Sequence, residues 1–396
     1  MKRRNFIKNS ALASSLFLVP GFVRAMDDGM FAAAGFKRLI IIQLTGGNDG
    51  LNTLVPFRND IYYKNRPTLA VPRDKVLAIN DEVGLHKSLK PIKNLYDNGE
   101  LTIINKVGYP NPDRSHFRST DIWQTASGAN EFLKDGWIGR YLDRYGQKPY
   151  NAIEIGNSLS LLMKGKRQRG IVTQNANLLH RMANDPYFGH VLQFQKDIHL
   201  SEHNMGYLYR TMIDAKQSAA YIYEKSKVYS SSLDYGKYKF GKQLKSIAEF
   251  VNSGLDTKIY YASLAGFDTH ANQAGRQEKL LNIYARAVGT LVEDLKGNNT
   301  FNDTLILTFS EFGRRVAQNA GHGTDHGAAN NVFVIGNKLK KPGLFNEAPN
   351  LRDLDAIGDV KYEIDFRSVY ANILEDWLSV SRETILASGV KPISII

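Results

Sequence analysis

The chain contains no cysteine. Disulfides, thiolate metal sites, cysteine nucleophiles and cysteine-held iron–sulfur clusters are therefore excluded. Histidine, carboxylate and hydroxyl groups must carry whatever chemistry there is. A cysteine-free chain suits an oxidising compartment without demanding one. Long apolar runs are also scarce: beyond the first 25 residues, no segment is long enough to span a bilayer as a helix. Internal repeats and low-complexity tracts are missing, and the composition excludes a collagen-like, coiled-coil or wholly disordered chain. What remains is 396 residues, 43% hydrophobic and 23% charged, enough to bury a large core.

Acidic residues are outnumbered, 39 against 51 Lys plus Arg, for a formal charge of +12. Much of the excess sits at the start. Lys2, Arg3, Arg4 and Lys8 precede a modest apolar stretch from about Ala11 to Val23, and Val23-Arg24-Ala25 ends it. This is the layout of a cleaved export signal over residues 1–25. Arg3-Arg4-Asn5-Phe6-Ile7-Lys8 resembles the twin-arginine motif, which implies folding before export and a periplasmic or otherwise exported product. Removing these residues takes away five basic groups and no acidic one, leaving +7. The basic windows near 164–169 and 337–341 are short, so they read as solvated surface and no nucleic-acid partner is expected.

The run from Lys37 to Leu44, unbroken in apolar residues from Leu39 to Ile42, stops at Thr45-Gly46-Gly47, as a strand buried on both faces would. Residues 100–106, 258–264, 304–309 and 331–335 repeat that pattern. Helical periodicity lies between them, at about 87–97, 120–126, 134–144, 273–296 and 366–379. Alternating strands and helices predict an α/β fold with a largely parallel sheet. Residues 187–253 read as a helical excursion within a single domain spanning 26–396. The stretch 345–360 reads as a loop holding Asp353, Asp355 and Asp359.

Ligands of parallel sheets gather beyond the carboxyl ends of strands. Four polar clusters fall there. The first, Thr45 to Thr53, places Asp49 at the rim, although a plain Asn-Asp-Gly turn gives the same pattern. The second, Asn111 to Asp121, holds Arg114, His116 and Arg118, and either Ser119 or Thr120 could cap the next helix. A hydroxyl at a helix start also suits a nucleophile or an anion site. In the third, Gly266 to His270, an extended backbone puts Asp268 and His270 on one side, as two ligands or as a structural pair. The fourth joins Glu311, Arg314 and Arg315 to the glycine-rich loop carrying His322, Asp325 and His326. Imidazole and carboxylate together suit a divalent cation or acid–base work.

The segments QLTGGNDGLNTLVPF (43–57), SHFRSTDIWQTA (115–126), GFDTHANQ (266–273), LTFSEFGRR (307–315), GTDHGAANNVFVIG (323–336) and DFRSVYANILEDWL (365–378) resemble the bacterial family called domain of unknown function 1501. That family is similar to the alkaline phosphatase-like and sulfatase-like superfamily. The resemblance implies a three-layer α/β/α sandwich with metal-binding Asp and His residues at strand ends and a Ser, Thr or modified Cys nucleophile. Carried onto this chain, it implies metal ligation by Asp49, Asp268, His270, Glu311, Asp325 and His326, with Phe312 standing where a further His is usual. Ser119 or Thr120 takes the nucleophile's place, His116 transfers a proton, and Arg118 or Arg314 steadies the anion. The implied cofactor is a divalent ion: zinc, magnesium or calcium. The implied activity is hydrolysis of phosphate or sulfate esters, small or polymeric. The competing reading is a non-catalytic binding or structural metal protein of the same fold. No oligomeric state follows.

Overall fold

The apolar run within residues 37–44 becomes the middle of the sheet. A computed structural model describes residues 35–186 and 204–396; the expected leader and the first part of the helical excursion lie outside them. In chain order the main elements are β1 (Arg38–Thr45), α1 (Lys90–Asp97), β2 (Leu101–Gly108), α2 (His116–Thr125), α3 (Trp137–Tyr145), β3 (Ala152–Ile155) and β4 (Ile171–Thr173). There follow α4 (Asn204–Ser226), α5 (Lys239–Asn252), β5 (Ile259–Ala265), α6 (Gln273–Gly297), β6 (Thr304–Phe309), β7 (Asn330–Ile335) and α7 (Phe366–Asn372).

The sheet has nine strands, in the order Gly343–Leu344, β2, β7, β6, β1, β5, β3, β4, with Ile364–Asp365 also on β2. All pairings are parallel except those of β7, which runs antiparallel to both β2 and β6. The architecture is thus a mixed, mostly parallel sheet flanked by helices, as expected. A three-stranded sheet of Leu54–Val55, Val76–Ala78 and Gly84–His86 stands apart. It escapes a sequence reading, as do β3 and β4, because strands of two to four residues carry too little periodicity.

Alternate residues of β1 feed two cores. Ile40, Ile42 and Leu44 pack with α5 and α6, through Phe240, Leu244 and Ile247 and through Leu281, Tyr284 and Val288. Leu39 and Ile41 face α2, α3 and α7, through Trp123, Trp137 and Tyr370. Strands buried on both faces need apolar residues at every position, which is why the run is continuous. The described part of the expected excursion consists of α4 and α5, and α5 belongs to the first of these cores. Among the described residues, no helix is long and apolar enough to cross a membrane.

Two helix boundaries differ from expectation. The helix expected from 120 begins at His116, with Ser115 as its N-cap. Asp113 sets this start: its Oδ1 accepts the Ser115 N–H at 2.7 Å, an Asx turn that leads the chain into the helix early. Ser119 and Thr120 therefore lie inside α2 and cap nothing. The helix expected over 366–379 ends as α7 and continues as a wider π turn over Ile373–Trp377.

Glu154 on β3 is buried, with one carboxylate oxygen accepting the Ser160 N–H at 2.8 Å. Burial pushes its carboxyl up to about 7, against an ordinary 4.5. The folded state therefore holds this proton more tightly than the unfolded chain. Its contribution is full below about pH 4.5 and is lost as pH rises to about 7. Glu154→Gln is expected to remove this loss, exceeding the wild type by roughly 1–3 kcal/mol at pH 8 and by little at pH 4.5. Denaturant unfolding at the two pH values checks this, and an equal difference at both would contradict it.

Candidate metal centre

The direction of β7 builds the site. Because β7 runs back against β6, the Ser310–Ala329 connection stays at the rim where β1, β2 and β5 end. Four loops meet there. Gly46 (φ +114°) permits a close approach of two loops, since a Cβ on it would lie 2.4 Å from the Asp268 nitrogen. Gly47 (φ +69°) leaves room for Phe312, whose ring a Cβ would meet at 2.3 Å.

Asp268, just past β5, is the focus. Its Oδ1 lies 3.3 Å from His116 Nε2, 3.0 Å from His270 Nε2 and 3.3 Å from His326 Nε2. Arg314 Nη2 donates to the same oxygen at 2.8 Å. His270 Nε2 and His326 Nε2 are 2.9 Å apart. The ligand atoms of His116, Asp268 and His326 all lie within 4.8 Å of one another.

Each imidazole is held from behind through Nδ1. His326 Nδ1 donates to the Arg114 carbonyl at 2.7 Å. A carbonyl can only accept, so His326 carries its proton on Nδ1 and leaves Nε2 bare. His116 Nδ1 faces Glu311 Oε1 at 2.9 Å, and His270 Nδ1 faces Asp325 Oδ1 at 3.2 Å. A carboxylate behind Nδ1 selects the same tautomer when a cation occupies the Nε2 side. The Nε2 atoms of His116 and His326 and an Asp268 oxygen then face one place, with His270 Nε2 beside Asp268 and His326. Lone pairs that close repel each other unless a cation lies between them. Donor separations of this size fit ligands bound to one ion at roughly 2.0–2.2 Å, and a carbonyl or carboxylate behind each His is the usual outer arrangement. The donor set fits a metal ion.

The charges agree. Burial pushes the Asp268 carboxyl up, but the Arg314 guanidinium outweighs it and holds the group below the usual carboxylate range. The Glu311 hydrogen bond raises the His116 pKa against the effect of burial. Burial lowers that of His326, which favours its neutral, ligating form. Phe312 packs on the His116 and His326 rings, 4.8 Å from each, so an apolar wall stands where the resemblance has a histidine. The Asp268 side chain stays 48% exposed, leaving the centre open to solvent.

The other expected site residues are used differently. Glu311 and Asp325 lie behind His116 and His270 and act on their rings. Glu311 also accepts the Gly46 N–H at 2.7 Å. Asp49 is fully buried: Oδ1 takes the Leu51 and Asn52 N–H groups, and Oδ2 takes Arg66 and Gln273. No lone pair is left for a metal, so its place is that of an N-cap and ion-pair partner. Ser119 is fully buried, its hydroxyl donating to the Glu311 carbonyl at 2.7 Å and bonded to Tyr109, which removes it from an attacking position. Thr120 Oγ1 accepts from Gln43 at 3.4 Å. Arg118 Nη2 donates to the carbonyls of Gly128, Ala129 and Glu131, and each nitrogen of the Arg314 guanidinium donates to a protein oxygen. Arg314 is not free to grip an anion, whereas Arg118 commits Nη2 to its own loop and leaves Nε without a partner.

One residue takes a different role and one was missed. His116, expected to move a proton, contributes a third imidazole. Ser115, unremarked in the sequence, is exposed at the start of α2, and its side chain caps no backbone N–H. The Asp113-x-Ser spacing was the available signal.

The family model described as "Protein of unknown function (DUF1501)" matches residues 109–387. The chain belongs to this family. The match takes in every residue that meets at Asp268. Similar solved structures include the lipoteichoic acid synthase LtaP from Listeria monocytogenes, at 10% identity and TM-score 0.37, covering 80% of this chain and 69% of that one. The C-terminal periplasmic domain of EcEptC from Escherichia coli, in complex with Zn, is 11% identical at TM-score 0.35, covering 78% and 74%. The phosphonate monoester hydrolase SpPMH from Silicibacter pomeroyi is 9% identical at TM-score 0.36, covering 77% and 69%. No curated protein matches.

The Asp49–Arg66 pair has both side chains fully buried at 2.6 Å. Asp49→Asn is expected to cost about 3–5 kcal/mol, because it strands the Arg66 charge inside the protein. Urea unfolding measures it, and a loss under 1 kcal/mol would contradict the pairing.

Proposed function

We propose that this chain is an exported, metal-dependent hydrolase of phosphate or sulfate esters. The observation that carries the reading is the convergence of three Nε2 atoms, each with its Nδ1 already engaged, on Asp268. His116, Asp268, His270 and His326 would hold the ion. Three imidazoles and one carboxylate suit zinc or another late first-row ion better than magnesium or calcium, which prefer oxygen. When bound, such an ion supplies Lewis acidity toward an ester oxygen.

The chain's own groups supply the rest. Ser115 replaces Ser119 or Thr120 as the candidate nucleophile: it is an exposed hydroxyl next to His116. The first N–H groups of α2 have no partner within the helix, and their partial positive charge suits an anionic ester. They take the part expected of Arg314. Export rests on residues 1–25, which carry the leader pattern.

Elemental analysis of the purified chain is expected to find zinc or a similar ion, lost from Asp268→Ala and His326→Ala. A panel of phosphate and sulfate monoesters should be turned over with the ion and not after chelation. A metal-loaded chain with no turnover on any of them would sink the hydrolase reading and favour a structural metal protein. Ser115→Ala should reduce turnover by roughly 10³-fold or more with the metal retained. Unchanged turnover would assign the attack to water.

A further inference from the structure

The loop with three aspartates has no part in the site so far. Asp355 Oδ1 accepts the N–H groups of Ile357 and Asp359, at 3.0 and 2.8 Å, which closes the turn. That turn delivers the Asp359 carboxylate, fully buried, beneath the rim. Its Oδ2 accepts from Arg114 Nε at 2.8 Å and from Nη2 at 2.6 Å, a two-pronged grip. Its Oδ1 lies 3.8 Å from Arg315 Nε. Neither of those two atoms has a hydrogen-bond partner of its own.

Both arginines lead to His326. The Arg114 carbonyl holds the His326 ring through Nδ1 at 2.7 Å, and Arg114 lies two residues before His116. The Arg315 N–H donates to the carbonyl of Asp325, the residue before His326, at 3.0 Å. One buried carboxylate thus lies between the two segments that flank this imidazole. We propose that Asp359 is a positioning residue for the metal centre, clamping Arg114 so that its carbonyl fixes the orientation of His326. The proposal rests on the metal-centre reading above.

A side chain that merely fills space would affect folding and leave metal affinity alone. A positioning residue acts on the ligand geometry. Partners of this outer kind typically change metal affinity about 10–100-fold when altered. Asp359→Asn keeps the volume and removes the charge. Titration of the metal-free chain with cobalt(II), followed by visible absorption, is expected to show affinity lowered about 10–100-fold, with altered ligand-field bands. Arg114→Lys leaves a cation but loses the two-pronged grip. It should shift affinity in the same direction by less, and it decides the matter alone if Asp359→Asn does not fold. Asp353→Asn, from the same loop and paired with Lys361, should bind cobalt like the wild type. Wild-type affinity and bands in both Asp359→Asn and Arg114→Lys would overturn the positioning role and leave the metal centre standing. A wild-type chain that binds no cobalt would overturn both.

Discussion

The buried guanidinium of Arg314 is the constraint on which the rim depends. It donates to the carbonyls of Gly46, Gly47, Phe267 and Thr324 and to the Asp268 carboxylate. Those acceptors come from the loop after β1, the loop after β5 and the connection between β6 and β7. A charge taken wholly out of water is tolerable only when nearly all of its donors are met. Here they are met by oxygens from three separate loops, so the guanidinium sets how those loops lie. A lysine, with a flexible stem and a point charge, could not hold the same planar set.

The same device recurs around the centre. Asp49 with Arg66, Asp268 with Arg314, and Asp359 with Arg114 each join segments far apart in sequence. All three pairs underlie loops that end at the sheet rim. Inside this frame, two further carboxylates and one carbonyl act on imidazoles through Nδ1. The result is layered. Ion pairs place the loops, hydrogen bonds turn the rings, and the Nε2 atoms face a single point beside Asp268. Phe312 closes one side by packing against two of the rings.

How far this could be read from residues alone varies by position. Asp268 and His270 were placed on one side from simple alternation, and they meet at 3.0 Å. Glu311 and Asp325 were assigned to the right loops but in the wrong layer, because nothing in a sequence gives the depth of a side chain below a rim. Ser119 and Thr120 are good capping residues by type. The Asp113 turn starts the helix before either is reached, and their hydroxyls point to buried partners instead. Asp49 fits a ligand by position, but its partner Arg66 comes from another segment.

The sequence by itself determined the layers. Short apolar runs stopped by glycine and polar turns read as strands covered on both faces, and their spacing by helices makes the sheet mostly parallel. It also determined which side chains were available for chemistry, since the lack of cysteine leaves histidines, carboxylates and hydroxyls. Only the tertiary structure decided which of these are neighbours and which atom of each faces the others. Register and strand direction act across hundreds of residues, and a tautomer depends on the acceptor behind the ring, so neither is written in local spacing.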